Sequence, residues 1–131
     1  MSNSRRSAHA NSYRSGYLKS KQWFARRARW FTEHDTPVQN MIVCAGCRRL
    51  TDKRFLELHH VSYEGVEYRD GSWSAQEAHE DLWPMHPACH ELLHRLIDRD
   101  PVLSRHRSRR DASTAAARIV LARFGVKEPS P

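Results

Sequence analysis

The stretch EDLWPMHPACHELLH, residues 80–94, decides how this chain is read. It holds a His-x2-Cys step, His86 and Cys89, and passes straight into a helical pattern. Residues 88–98 predict a helix, with Pro87 pre-set for its start and Leu92, Leu93, Leu96 and Ile97 as its apolar set. His90 and His94 lie one turn apart on that helix, so both imidazoles can reach one ion. Alone, such a pair is more often surface than site. Its neighbours in the sequence change the weighing.

Upstream stands a second step, Cys44-x2-Cys47, on a short strand, 41–49, that turns at Gly46. A C-x2-C turn sets two thiolates at two corners of a tetrahedron, and a second step brought close by the fold supplies the others. The expected set is therefore Cys44, Cys47, His86 and Cys89, a Cys3His site for structural zinc. The 38 residues between the steps leave room for a hairpin and a loop. All three Cys of the chain fall on these steps, which weighs against small buried thiols and an ordinary loop His.

Between the steps, residues 54–61 alternate as a strand does and end in His59-His60. Neighbours on a strand point to opposite faces, so one His can hold a metal while the other faces a substrate. Asp70-Gly71 predicts a hairpin between 63–69 and 72–76. Toward the N-terminus, 17–33 predict a helix capped by Ser20. Trp23 and Trp30 are expected in its core, and Arg26, Arg27 and Arg29 along a phosphate track. Residues 104–110 read as a basic linker, and 112–124 as an Ala-rich helix ended by Gly125.

The whole chain agrees with a small metal-stapled domain. It has 131 residues, 39% of them hydrophobic, and a mean hydropathy of -0.79, so its core is small and needs a staple. Three Cys cannot pair fully as disulfides, which leaves a metal. No apolar run approaches the roughly 20 residues of a membrane span, and MSNSRRSAHANSYRS has no apolar signal core. A soluble, cytoplasmic protein with no membrane partner is expected. The net charge is +7, unevenly spread: residues 1–31 hold eight basic residues and no acidic one, while 52–91 hold nine acidic and three basic. Six of nine His lie between 59 and 94. Basic flanks around an acidic, His-rich centre suggest metal chemistry on a polyanion.

Taken together these residues resemble the HNH endonuclease family. That family runs from a strand ending in a His pair, through a loop and an Asp/Asn-Leu segment, to a C-x2-C-H knuckle and a helix with a further His. Here the run reads LELHHVSYEGV and then EDLWPMHPACHELLH. Tyr17, Leu18, Ser20, Trp23 and Arg26 match an opening helix found in bacterial and phage members, and Tyr63, Glu77 and Asp81 also fit. The likeness covers about 17–98. It departs at His86, where the family has Cys, and at Asp81, where it has Asn.

The resemblance implies an α+β fold: a ββα-metal core stapled by zinc, with flanking N- and C-terminal helices. The implied organisation is a flexible basic segment at 1–16, a nuclease domain at 17–98, and a basic linker with a C-terminal helix at 99–131. It also implies hydrolysis of DNA phosphodiesters, with RNA left open, giving 5′-phosphate and 3′-hydroxyl ends. His60 would be the general base and Asp81 would orient it. His59 and His90, with His94 as a third ligand, would hold a catalytic divalent ion: Mg2+, Mn2+, Ni2+ or Zn2+. Two further readings stay open. One is a zinc-stabilised DNA-binding module, which has no use for His60 or His90. The other is a phage or packaging accessory without cleavage, for which Asp81 in place of Asn is the best support.

Overall fold

The structure is a computed structural model that describes residues 14–36 and 38–125. Most of the expected flexible segment, residues 1–13, lies outside the described residues, and 14–18 are helical. The fold is α+β, with helices and three two-stranded antiparallel sheets among the described residues. The chain divides into two compact units that interleave in sequence. Among the described residues, one joins 14–34 with Glu64–Ala78, and the other joins Asp35–Tyr63 with 79–125. No helix of the described residues is long and apolar enough to cross a membrane.

The first unit is a helix, α1 (Lys21–Glu33), with a hairpin of β4 (Val66–Arg69) and β5 (Ser72–Ala75). Ser20 caps α1 as expected, its hydroxyl oxygen accepting from the Trp23 amide at 3.1 Å. Asp70 and Gly71 both have positive φ, which is what a two-residue hairpin turn between twisted strands demands. Trp23 and Trp30 are buried, as expected. Arg26 is not on a phosphate track: it is 4% exposed, and its Nε and Nη2 donate to the Glu77 carbonyl at 3.2 and 2.9 Å. Glu77 also accepts from the Tyr17 hydroxyl at 2.7 Å. The Tyr, Ser, Trp and Arg of the opening helix are thus the internal fastening of this unit.

The second unit opens with β1 (Met41–Val43) and β2 (Leu50–Asp52), paired antiparallel around the Cys44–Cys47 turn. After a 3-10 turn at Lys53–Phe55, β3 (Glu57–His60) pairs antiparallel with β6 (Leu82–Met85). The predicted strand over 54–61 is shorter than its alternation suggested, because Asp52 caps that turn at the Arg54 amide, 3.0 Å away. Pro84 lies inside β6 without cost, because each strand of a two-stranded sheet is an edge. Helix α2 (Pro87–Arg99) follows β6 at once, with His86 as its N-cap residue.

Beyond α2, the expected linker is largely helical. Asp100 caps α3 (Pro101–Arg105) by accepting from Val102 and Leu103 amides at 2.9 and 3.4 Å, and Pro101 starts the turn. Ser108 then caps α4 (Arg109–Phe124) at the Asp111 amide, so this helix begins three residues before the sequence pattern did. Helices α2 and α4 pack on each other, and α4 buries Ala112, Ser113, Ala116 and Val120. Gly125 follows α4 with φ -69°, so it ends the helix without the left-handed turn expected of it.

Candidate functional site

The second unit gathers two groups of metal-binding side chains. The first is the expected set, Cys44, Cys47, His86 and Cys89, whose ligand atoms lie within 4.8 Å of one another. The Cys44–Cys47 turn is held by the Arg48 amide on the Cys44 carbonyl and the Cys44 amide on the Arg49 carbonyl, both at 3.0 Å. Gly46 must be glycine, because a Cβ there would meet Cys89 Cβ at 2.8 Å and Val120 Cγ1 at 3.0 Å. The helix start then lifts Cys89 toward the turn from the other side.

Cys44 and Cys89 feel opposite surroundings. Burial alone raises the Cys44 thiol, but amides of His86, Cys47 and Gly46 directed at its sulfur outweigh that and lower it. The Gly46 and His86 amides both lie 3.4 Å from Sγ. Cys89 shows the opposite: burial, and then the charges of Cys44 and Cys47, push it up to about 12. Three thiolates cannot share that volume without a cation, and an ion entering it displaces protons.

The fourth corner is His86. Its Nδ1 lies 3.4 Å from Cys47 Sγ, close to the roughly 3.5 Å between N and S ligands on one tetrahedral ion. Its Nε2 lies 3.0 Å from Thr51 Oγ1, and that hydroxyl donates to the Arg49 carbonyl at 3.0 Å. With its proton committed, the Thr51 oxygen accepts Nε2–H, which leaves the Nδ1 lone pair facing the sulfurs. Thr51 was not legible in the sequence. These four residues form a site that can hold a metal, and four protein ligands close it.

The second group is His59, His90 and His94, again with ligand atoms within 4.8 Å. His59 Nδ1 lies 3.1 Å from His90 Nε2, and His94 Nε2 lies 2.9 Å from the same atom. His90 Nδ1 is 2.7 Å from Glu57 Oε1, where the imidazole donates. That leaves one lone pair on His90 Nε2, with two other imidazole nitrogens aimed at it. One cation between them satisfies all three, and ligands on one tetrahedral zinc stand about 3.3 Å apart. His59 Nε2 meets the Ser113 hydroxyl of α4 at 2.8 Å. Burial, then the Arg109 charge, then the other imidazoles hold His59 far below the ordinary imidazole range, so it stays neutral and able to act as a ligand.

His60 points to the other face of β3, as the alternation required. It stacks on Tyr63, with ring centres 4.2 Å apart and planes 5° from parallel, and it is 2% exposed. The Arg109 guanidinium lies 5.1 Å over the Tyr63 ring and donates through Nε to the His60 carbonyl at 2.7 Å. Asp81 precedes β6, beside the residue paired with His60, and its carboxylate forms an ion pair with Arg110 of α4. Sequence reasoning missed Glu57, Ser113, Arg109 and Arg110 as well as Thr51. Glu57 could have been found, since it lies two residues before His59 and so on the same strand face. Ser113 and the two Arg lie on a helix with no signal tying it to the site.

A scan against protein-family models and searches of curated proteins and solved structures gave no match.

Proposed function

We propose that the chain is a metal-dependent endonuclease of the HNH kind, built on a ββα-metal core of β3, β6 and α2, that hydrolyses DNA phosphodiesters. The observation that carries the reading is the convergence of His59, His90 and His94 on one point, with His60 next to His59 on the same strand. In this reading Cys44, Cys47, His86 and Cys89 hold a structural zinc that ties α2 to the Cys44–Cys47 turn. A divalent ion held by His59, His90 and His94 supplies charge stabilisation at the phosphate and its leaving oxygen.

The chain's own residues do the rest. His60, kept upright by Tyr63, is the general base: a neutral imidazole takes a proton from water at little cost. Glu57 fixes the His90 tautomer. The exposed Arg105 at the end of α3 and Arg107 between α3 and α4 are suited to the backbone of DNA.

A second reading rests on two particular observations. His60 is almost wholly buried, and the Asp81 carboxylate pairs with Arg110. Both fit a zinc-stabilised DNA-binding module or an accessory protein that has lost cleavage. Supercoiled plasmid incubated at low salt with Mg2+, Mn2+, Ni2+ or Zn2+ separates the two. Nicked or linear product with at least one ion, lost in His60→Ala, is expected. Retained plasmid binding without product under every ion favours the module.

A further inference from the structure

Helix α4 lies outside the residues that carry the likeness to known nucleases, yet two of its side chains, one turn apart, reach consecutive residues of β3. Arg109 donates to the His60 carbonyl, and Ser113 meets His59 Nε2 at 2.8 Å. Ser113 is 0% exposed in a helix otherwise packed through Ala112, Ala116 and Val120. A buried hydroxyl is costly unless it is bonded, and Ser is a poorer helix former than Ala. The next residue, Thr114, satisfies its hydroxyl within the helix, at the Arg110 carbonyl 2.9 Å away. The Ser113 hydroxyl instead meets the imidazole.

We propose that Ser113 is a positioning residue for the ion held by His59, His90 and His94. With its hydroxyl accepting Nε2–H, it supports the His59 tautomer that turns the Nδ1 lone pair toward His90 and His94, and it sets the ring's angle. Glu57 does the same for His90. The His cluster therefore draws its outer supports from β3 and from α4, so the C-terminal helix is a working part of the site. This rests on the reading of the His cluster as an ion site.

The test uses the full chain loaded with one zinc per molecule. Ni2+, which favours imidazole ligands, is titrated into the wild type, Ser113→Ala and Thr114→Ala, followed by calorimetry. Loss of an outer-shell partner typically weakens metal affinity 10–100-fold, so about that loss is expected for Ser113→Ala and none for Thr114→Ala. Zinc content of Ser113→Ala should hold and the chain should stay folded with a modestly lower melting temperature, since the buried Nε2–H of His59 loses its acceptor while Ala favours the helix. A purely structural Ser113 would move stability and leave Ni2+ affinity alone. Wild-type affinity in a folded Ser113→Ala overturns the proposal, as does a loss matched by unfolded chain. A wild type that takes up no second ion overturns the ion-site reading itself, and the proposal with it.

Discussion

Helix α2 gives Cys89 to one cluster and the next residue, His90, to the other, and the two residues enter different surroundings. Around Cys89 there are four protein donors, backbone amides aimed at sulfur, and a glycine that lets the turn close on the helix. Around His90 there are three donors, and two of the rings are supported by side chains: Glu57 on His90 and Ser113 on His59. Four donors complete a tetrahedron, whereas three leave a position for water or substrate. Backbone supports are set by the fold and side-chain supports can be altered one at a time. The two clusters should therefore fail in different ways when mutated.

Cys89→Ser should give the largest effect. Structural zinc contributes about 10–16 kcal/mol of apparent binding energy in small domains, and that energy is folding energy. The variant should lose its zinc and its cooperative melting transition, read by metal content and circular dichroism. One zinc retained in a folded Cys89→Ser would mean that the thiolate cluster is not the staple, and the contrast would disappear.

The matching change on the other side, His90→Ala, should leave zinc content and folding intact and remove plasmid cleavage. His60→Ala should do the same through proton transfer, a loss of about 10²–10⁴-fold. Added Mn2+ should partly restore His90→Ala and not His60→Ala, because only the former weakens ion binding. Equal rescue of both would remove the division of roles between the faces of β3.

How far these contrasts were legible depends on what kind of signal each residue carries. The thiolate cluster was readable because C-x2-C and H-x2-C are local spacings imposed by a tetrahedron. The His trio was readable in part, since the helix period joins His90 to His94 and strand alternation separates His59 from His60. The supports were not. Ser113 and Thr51 are ordinary helix and strand residues whose partners lie 54 and 35 positions away, and only tertiary packing joins them. Arg26 erred the other way: its charge suggested a phosphate, but burial gave it the Glu77 carbonyl. The linker at 104–110 misled because basic composition outweighed the Asp100-Pro101 helix start.

Gly46→Ala sharpens the comparison without replacing a ligand. The added methyl would sit 2.8 Å from Cys89 Cβ, 3.0 Å from Val120 Cγ1 and 3.1 Å from Met85 Cε. Overpacking of this kind costs about 1–3 kcal/mol. Thermal melting should show that loss together with weaker zinc retention, while Ni2+ affinity at the His cluster holds in the chain that remains folded. A parallel drop at both clusters would mean that α2 transmits strain along its length.

Thr51→Val should give the smallest effect and the most specific one. The hydroxyl accepts from His86 Nε2–H and donates to the Arg49 carbonyl, so its loss frees one imidazole and one carbonyl of the turn. Val has nearly the same shape and favours a strand, so folding in excess zinc should hold. Under a mild chelator the variant should release zinc more readily, by about tenfold, the lower end of what outer-shell partners contribute. His86→Cys supplies the control. A fourth thiolate needs no partner at Nε2, so His86→Cys should keep one zinc, and adding Thr51→Val to it should change nothing. His86→Ala should lose zinc to the same chelator. If Thr51→Val weakens zinc equally with His86 and with Cys at that position, the hydroxyl acts by holding the Arg49 carbonyl at the turn, not through the imidazole. The thiolate cluster would then rest wholly on backbone, and the contrast with the His cluster would be sharper.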